Sequence, residues 1–198
     1  MPPVPDATGV VLAGGRSTRF GSDKLVASYR GMPLLHHAVL RLIEVCSEVV
    51  VVLAPDAADP DLPPGVPVRF ARDATEGEGP LAGLLAGLQA TTTDVALVVG
   101  GDMPEISTPV VLEMLEVAGQ EPVDGVVLAD GDAFRPLPML VRAERGREIA
   151  HALLHDGERR LRAFVQAMRV AVIDATTWRT LDPAGATLRD VDTVEDLE

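Results

Sequence analysis

The chain has 198 residues, 17 basic and 30 acidic side chains, and a formal net charge of −13. That length suits one domain, 1–198, whose core needs no staple, and the one cysteine, Cys46, excludes an intramolecular disulfide and a multi-cysteine zinc site. The acidic balance and the 3% aromatic content exclude non-specific phosphate-backbone binding and base-stacking platforms, so no nucleic-acid partner is expected.

No apolar run approaches the ~18 residues of a membrane span. Residues 1–9 lack the basic and apolar regions of a signal peptide. No membrane partner is expected, and the cytoplasm is the expected compartment. Sixteen of the basic residues are arginines, and Lys24 is the one lysine. A compact ammonium and a planar guanidinium are not interchangeable at a phosphate.

In chain order, residues 10–13 read as a buried strand that stops at Gly14-Gly15. Residues 14–24 are polar, glycine-rich and basic. Pro33 opens a helix with Leu35, Ala38, Val39, Leu42 and Cys46 on one face. The β-branched run 49–53 predicts a strand buried on both faces. Residues 54–67 carry five prolines and read as a surface connection. A weak strand at 68–70 leads to a polar loop, 71–79. Pro80 starts a helix with Leu81, Leu84, Leu85 and Leu88 at helical spacing. A buried strand at 95–99 ends in Gly100-Gly101-Asp102. Thr108 and Pro109 suit the N-cap and first position of the next helix. Strands follow at 126–129 and 137–141, and Pro136 and Pro138 favour an edge position for the second. Helices at about 143–155 and 160–168, a strand at 170–173 and a short acidic helix complete the chain.

Strands alternating with helices predict an α/β fold, a doubly wound, mostly parallel sheet of Rossmann-like type with an antiparallel edge strand. Ligands of such sheets bind outside the carboxyl ends of the strands. That rule selects three loops: 14–24, 71–79 and 100–104.

The first loop carries the strongest signal. Adjacent glycines at 14 and 15 let backbone N–H groups approach an anion, and Arg16, Arg19 and Lys24 match a polyphosphate. The spacing is neither Walker A nor GxGxxG. A glycine turn with solvated arginines has the same local pattern. Asp102 follows a buried strand and two glycines, where a carboxylate suits Mg²⁺ together with substrate phosphates or, equally, a simple turn. Gly83 and Gly87 share a helix face. Close packing on the sheet accounts for Gly87, whereas Gly83, in the first turn, leaves room for a nucleotide. His151 and His155 share a helix face without a third ligand nearby and are expected at the surface. His36-His37, at a helix start, is also read without a functional role.

These residues carry a family resemblance over nearly the whole chain. Residues 12–24, LAGGRSTRFGSDK, resemble the signature loop of nucleotidyltransferases of the molybdenum cofactor guanylyltransferase type. Residues 79–84 (GPLAGL) resemble that family's second loop, and Gly101-Asp102-Met103-Pro104 its metal-binding strand end. Arg135-Pro136-Leu137-Pro138, Gly157-Glu158-Arg159-Arg160-Leu161 and Asp190-Val191-Asp192-Thr193 resemble later segments.

The resemblance implies transfer of GMP from GTP to the terminal phosphate of molybdopterin bearing molybdenum, with Mg²⁺ and release of pyrophosphate. On that reading Asp102 binds Mg²⁺, and Lys24 and Arg19 neutralise the triphosphate and the leaving group. Leu12, Ala13, Gly14, Gly15, Arg16 and Ser17 line the nucleotide, Asp73 contacts the nucleoside, and Gly83 leaves it space. Arg159, Arg160, Asp190 and Asp192 are the acceptor-binding candidates. Accessory molybdenum-cofactor proteins are compatible partners. The double glycine at 14–15 favours the guanylyl type. Two departures keep alternatives open: Asp190 and Asp192 stand where asparagines are frequent, and Leu53-Ala54-Pro55 offers no side-chain amide to a guanine. The alternatives are a CTP-dependent enzyme, a sugar-phosphate nucleotidyltransferase, and a non-catalytic nucleotide-binding regulator.

Overall fold

Alternation of apolar strands with amphipathic helices builds a three-layer fold, seen in a computed structural model that describes residues 6–14, 24–73 and 79–197. Strand β1 (Ala7–Leu12) leads to a 3₁₀ turn at Lys24–Val26 and a short hairpin, β2 (Ser28–Tyr29) and β3 (Met32–Pro33). Helix α1 (Leu34–Ile43), β4 (Glu48–Leu53), β5 (Val68–Arg72), α2 (Pro80–Ala90) and β6 (Val95–Gly100) follow. Then come α3 (Thr108–Gln120), β7 (Gly125–Asp130), β8 (Ala133–Arg142), α4 (Ala143–His155), α5 (Leu161–Ala167), β9 (Val170–Ile173) and α6 (Ala175–Leu181). The described chain ends in 3₁₀ turns at Ala186–Leu188 and Val194–Leu197, the second standing where an acidic helix was expected.

Seven strands pair in the order β5-β4-β1-β6-β8-β7-β9. All run parallel except β8, which is antiparallel to both β6 and β7. The period-2 alternation of each strand splits the core in two. Val11, Val49, Val51, Leu97 and Val99 point to one face, under α1, α3 and α6. Val10, Val50, Val52, Ala96 and Val98 point to the other, under α2, α4 and α5. Burial on both faces is why these strands read as unbroken apolar runs. Gly87 sets the approach of α2: a Cβ there would come 2.5 Å from Val10 Cγ1 and 3.0 Å from Val52 Cγ2.

The antiparallel strand corrects one expectation. It lies inside the sheet, not at its edge. The prolines are tolerated because the ladder avoids them. Pairing with β6 reaches only Met139, and on the β7 side the register jumps from Val127↔Met139 to Leu128↔Arg135. Pro136 and Pro138 therefore fall in a bulge with no ladder partner on either side. The Leu137–Pro138 peptide is cis. A second, smaller correction concerns α3: Ser107 is its N-cap, and Thr108 is its first residue.

Candidate active site

The carboxyl ends of β1 and β6 meet at one turn. Gly101 N–H donates to the Leu12 carbonyl at 3.0 Å, tying the end of β6 to the end of β1. The two glycines at 100 and 101 relieve crowding at this turn. A Cβ on Gly100 would collide with Asp102 Oδ1, and one on Gly101 would lie 2.9 Å from Leu25 Cδ2. The missing Cβ at Gly100 leaves room for the Asp102 carboxylate against the strand end. The Asp102 carbonyl accepts from Val191 N–H at 3.0 Å, which docks the C-terminal segment on this turn. Val191 is buried with Tyr29 and Leu34, so the segment has an apolar anchor as well.

Lys24 connects these pieces. Its Nζ donates to Asp102 Oδ2 at 3.0 Å and to Asp192 Oδ1 at 3.1 Å, and its side chain is only 11% exposed. Burial alone would lower the pKa of this ammonium. The hydrogen bonds and negative charges of Asp102 and Asp192 outweigh that and raise it above the usual lysine value. Asp192 is held from behind: its backbone N–H, and the N–H and hydroxyl of Thr193, all donate to Asp196 Oδ2. Those donors hold the Asp196 carboxyl below the usual range.

Asp190 adds a third carboxylate. Arg135 Nη2 donates to it at 2.9 Å, and Arg135 Nη1 lies 3.7 Å from Asp130. Burial, then the charge of Asp102, raises the Asp190 pKa, and Asp192 adds to the rise against the opposing pull of Arg135 and Lys24. The cluster of Asp102, Asp190 and Asp192 against Lys24 and Arg135 thus carries surplus negative charge. Beside it, Glu105 bridges Arg30 and Arg189, the latter at 2.7 Å.

The surplus fits a divalent cation. Mg²⁺ takes one or two carboxylates and completes its shell with waters and substrate phosphates. Among the described residues no group of three or more His, Cys, Asp or Glu side chains is arranged to hold a metal.

Among the other expected residues, Leu12 and Ala13 adjoin this turn through the main chain, whereas Asp73 lies apart from it. Asp73 follows the end of β5, three strand positions from β6, or ~14 Å across the sheet. Its N–H donates to the Leu53 carbonyl. Leu12 and Ala13 use main-chain groups within the sheet, the latter donating to Val52 O at 2.9 Å, and Gly14 is exposed. A Cβ on Gly83 would meet only Val52, at 3.7 Å, so protein packing does not demand that glycine. Arg159 and Arg160 sit at the first turn of α2. The Arg159 carbonyl accepts from Leu81 N–H at 3.2 Å, and a Cβ on Gly79 (φ +81°) would lie 3.0 Å from Arg159 Cβ. The Arg160 guanidinium forks onto Glu158 at 2.9 and 2.6 Å. Gly15, Arg16, Ser17 and Arg19 lie outside the described residues. His151 and His155 are exposed, as expected.

Sequence reasoning did not foresee the pairing of Lys24 with Asp192 or of Arg135 with Asp190. It also passed over Asp196, although Thr193-x-x-Asp196 has the spacing of a capping box.

Comparison with known proteins agrees with this fold. The family model of the MobA-like NTP transferase domain matches residues 9–172. The probable molybdenum cofactor guanylyltransferase of Chloroflexus aggregans is 36% identical over 198 aligned residues, covering 96% of this chain and 91% of the relative. The crystal structure of molybdopterin-guanine dinucleotide biosynthesis protein A from Archaeoglobus fulgidus superposes with a TM-score of 0.78 at 18% identity, covering 96% of this chain and 94% of that one. The 2-C-methyl-D-erythritol 4-phosphate cytidylyltransferase of Thermus thermophilus shares the fold with a TM-score of 0.68 at 20% identity, over 95% and 94% of the chains. A lysine of the 3₁₀ turn joined at 3.0 Å to an aspartate at the end of β6, on a fold and sequence of this kind, leaves one conclusion: the chain belongs to the MobA-like NTP transferase family and is a nucleotidyltransferase.

Proposed function

We propose that the enzyme transfers GMP from GTP to the terminal phosphate of molybdenum-bearing molybdopterin and releases pyrophosphate. The observation that carries this reading is the Lys24 ammonium held between Asp102 and Asp192 where β1 and β6 end. The guanylyl assignment is supported by the relative from Chloroflexus aggregans, whose name specifies that activity.

In this reaction an acceptor phosphate oxygen attacks the α-phosphorus in line, a new O–P bond forms, and the bond to the β-phosphate oxygen breaks. The protein's share is positioning and charge stabilisation. Lys24, with Arg16 and Arg19, neutralises the triphosphate and the departing pyrophosphate. Gly14, Gly15 and Ser17 offer donors to the phosphates, and the Leu12–Gly14 backbone faces the base. Asp73 reaches the nucleoside from the far side of β4, beside the space that Gly83 leaves. Arg159, Arg160, Asp190 and Asp192 border the acceptor. Mg²⁺, when bound, would be held by Asp102 and would supply charge neutralisation at the phosphates.

The test is pyrophosphate release with each of the four nucleoside triphosphates and the molybdopterin acceptor. GTP-specific, Mg²⁺-dependent release supports the reading. Release with CTP instead would replace the guanylyl assignment by a cytidylyl one, in keeping with the missing amide at Leu53-Ala54-Pro55. Nucleotide binding without any turnover would make the chain a regulator.

A further inference from the structure

Lys24 is the one lysine among 17 basic side chains, and it occupies the same carboxylate that the proposed reaction assigns to Mg²⁺. Its ammonium lies 3.0 Å from Asp102 and 3.1 Å from Asp192. Two cations on one carboxylate repel, and the Lys24 side chain, only 11% exposed, has little water around it to screen that repulsion. The backbone that carries each carboxylate is tied down. The Asp102 turn is tied to Leu12 and to Val191, and the Asp192 backbone is tied to Asp196. The partner able to move is the lysine, a point charge on a flexible four-carbon stem. An arginine fork would grip its carboxylate more rigidly, as Arg160 grips Glu158.

We infer that Lys24 is an exchangeable counter-ion. In the nucleotide-free protein it holds Asp102 and Asp192 against divalent cations, and it releases them when a triphosphate offers it a stronger acceptor. Metal and nucleotide then bind with positive coupling, and Lys24 is the coupling element. This inference rests on the proposed Mg²⁺–GTP reading.

The test is Mn²⁺ titration of the full chain without nucleotide, read by the electron paramagnetic resonance of free Mn²⁺. Lys24→Met should bind Mn²⁺ at least about tenfold more tightly than the unmodified protein, the size of an ordinary coupling between sites. Lys24→Met/Asp102→Asn should lose that gain. Arg135→Met, which removes a cation of the same cluster without freeing Asp102, should gain far less. GTP should raise the Mn²⁺ affinity of the unmodified protein beyond the Mn²⁺ that GTP alone takes up in a protein-free titration. The exchange is overturned if Lys24→Met binds no better, or if Arg135→Met gains as much. If GTP leaves the Mn²⁺ affinity of the unmodified protein unchanged, the Mg²⁺–GTP reading fails and the exchange with it.

A second measurement needs no variant. Protein carrying ¹³Cε-labelled lysine gives one resonance, because the chain has one lysine. That resonance should hold its position with Mg²⁺ alone and shift with Mg²⁺ plus GTP. A shift with Mg²⁺ alone, or none with both, overturns the exchange even if Lys24→Met fails to fold.

Discussion

The two ends of the sheet carry charged clusters of opposite design. At the amino end, one carboxylate is surrounded by donors. Glu48 accepts from Arg69 Nε at 2.9 Å, Arg69 Nη2 at 2.8 Å, the Thr92 hydroxyl at 2.6 Å and the Thr8 hydroxyl at 3.3 Å. Arg69 in turn donates to the Ala90 carbonyl. The Arg69 hydrogen bonds come first in holding Glu48 at about 2; burial opposes them, and the Thr92 and Thr8 hydroxyls add to the lowering. At the carboxyl end, Asp102, Asp190 and Asp192 share Lys24 and Arg135, and Asp190 is pushed up instead of down. A charge whose partners are complete fastens strands together. A surplus of charge at a strand end marks a candidate ligand site instead.

The largest effect that separates the two ends is expected at Lys24. Lys24→Ala should cut pyrophosphate release about a thousandfold, the order of loss for one preorganised stabilising group, with the circular dichroism spectrum of the folded chain retained. Full activity in that variant would place the chemistry elsewhere.

Glu48→Gln should do the reverse. Stability should fall by about 1–3 kcal/mol, because Arg69 loses its ionised partner, while activity per folded molecule stays constant. Urea unfolding read beside the pyrophosphate assay checks both halves. The pH dependence has a definite sign. A carboxyl held at about 2 in the folded chain, against an ordinary 4.5, stabilises fully above about pH 4.5 and loses that contribution as pH falls through about 2. The stability gap between Glu48→Gln and the unmodified protein should therefore narrow progressively between those limits.

Two glycines on one helix give a matched pair, the second of which has the smallest effect. Gly87→Ala must displace Val10 and Val52 and should cost about 1–3 kcal/mol. Gly83→Ala meets only an ordinary contact and should be neutral or gain up to ~1 kcal/mol of helix propensity. Weaker GTP binding in Gly83→Ala, measured by calorimetry, would then mark the space that the nucleotide occupies.

Most of the sheet was legible because β1, β4 and β6 are buried on both faces and leave continuous apolar runs. The limits of α4 and β9 match their expected ranges. What escaped has identifiable causes. The β2–β3 hairpin turns through Arg30 (φ +48°) and Gly31 (φ +86°), and strands of two residues show no periodicity. Helix α6 buries only Trp178 and carries three threonines, so its signal was the Asp174 cap alone. The interior placement of β8 hid behind prolines that the bulge accommodates. In the site, Lys24 and Asp102 announced themselves through glycines and strand ends. Asp192 lies 168 residues from Lys24, and no local pattern encodes that meeting.

The most direct test of the central claim is calorimetric titration of Mg²⁺–GTP into the unmodified protein and into Lys24→Ala. The account predicts saturable binding to the first and at least about tenfold weaker binding to the second, the loss expected for one charge-assisted phosphate contact. Equal affinity in both would contradict it, because the cluster at the carboxyl ends of β1 and β6 would then not be where the triphosphate sits.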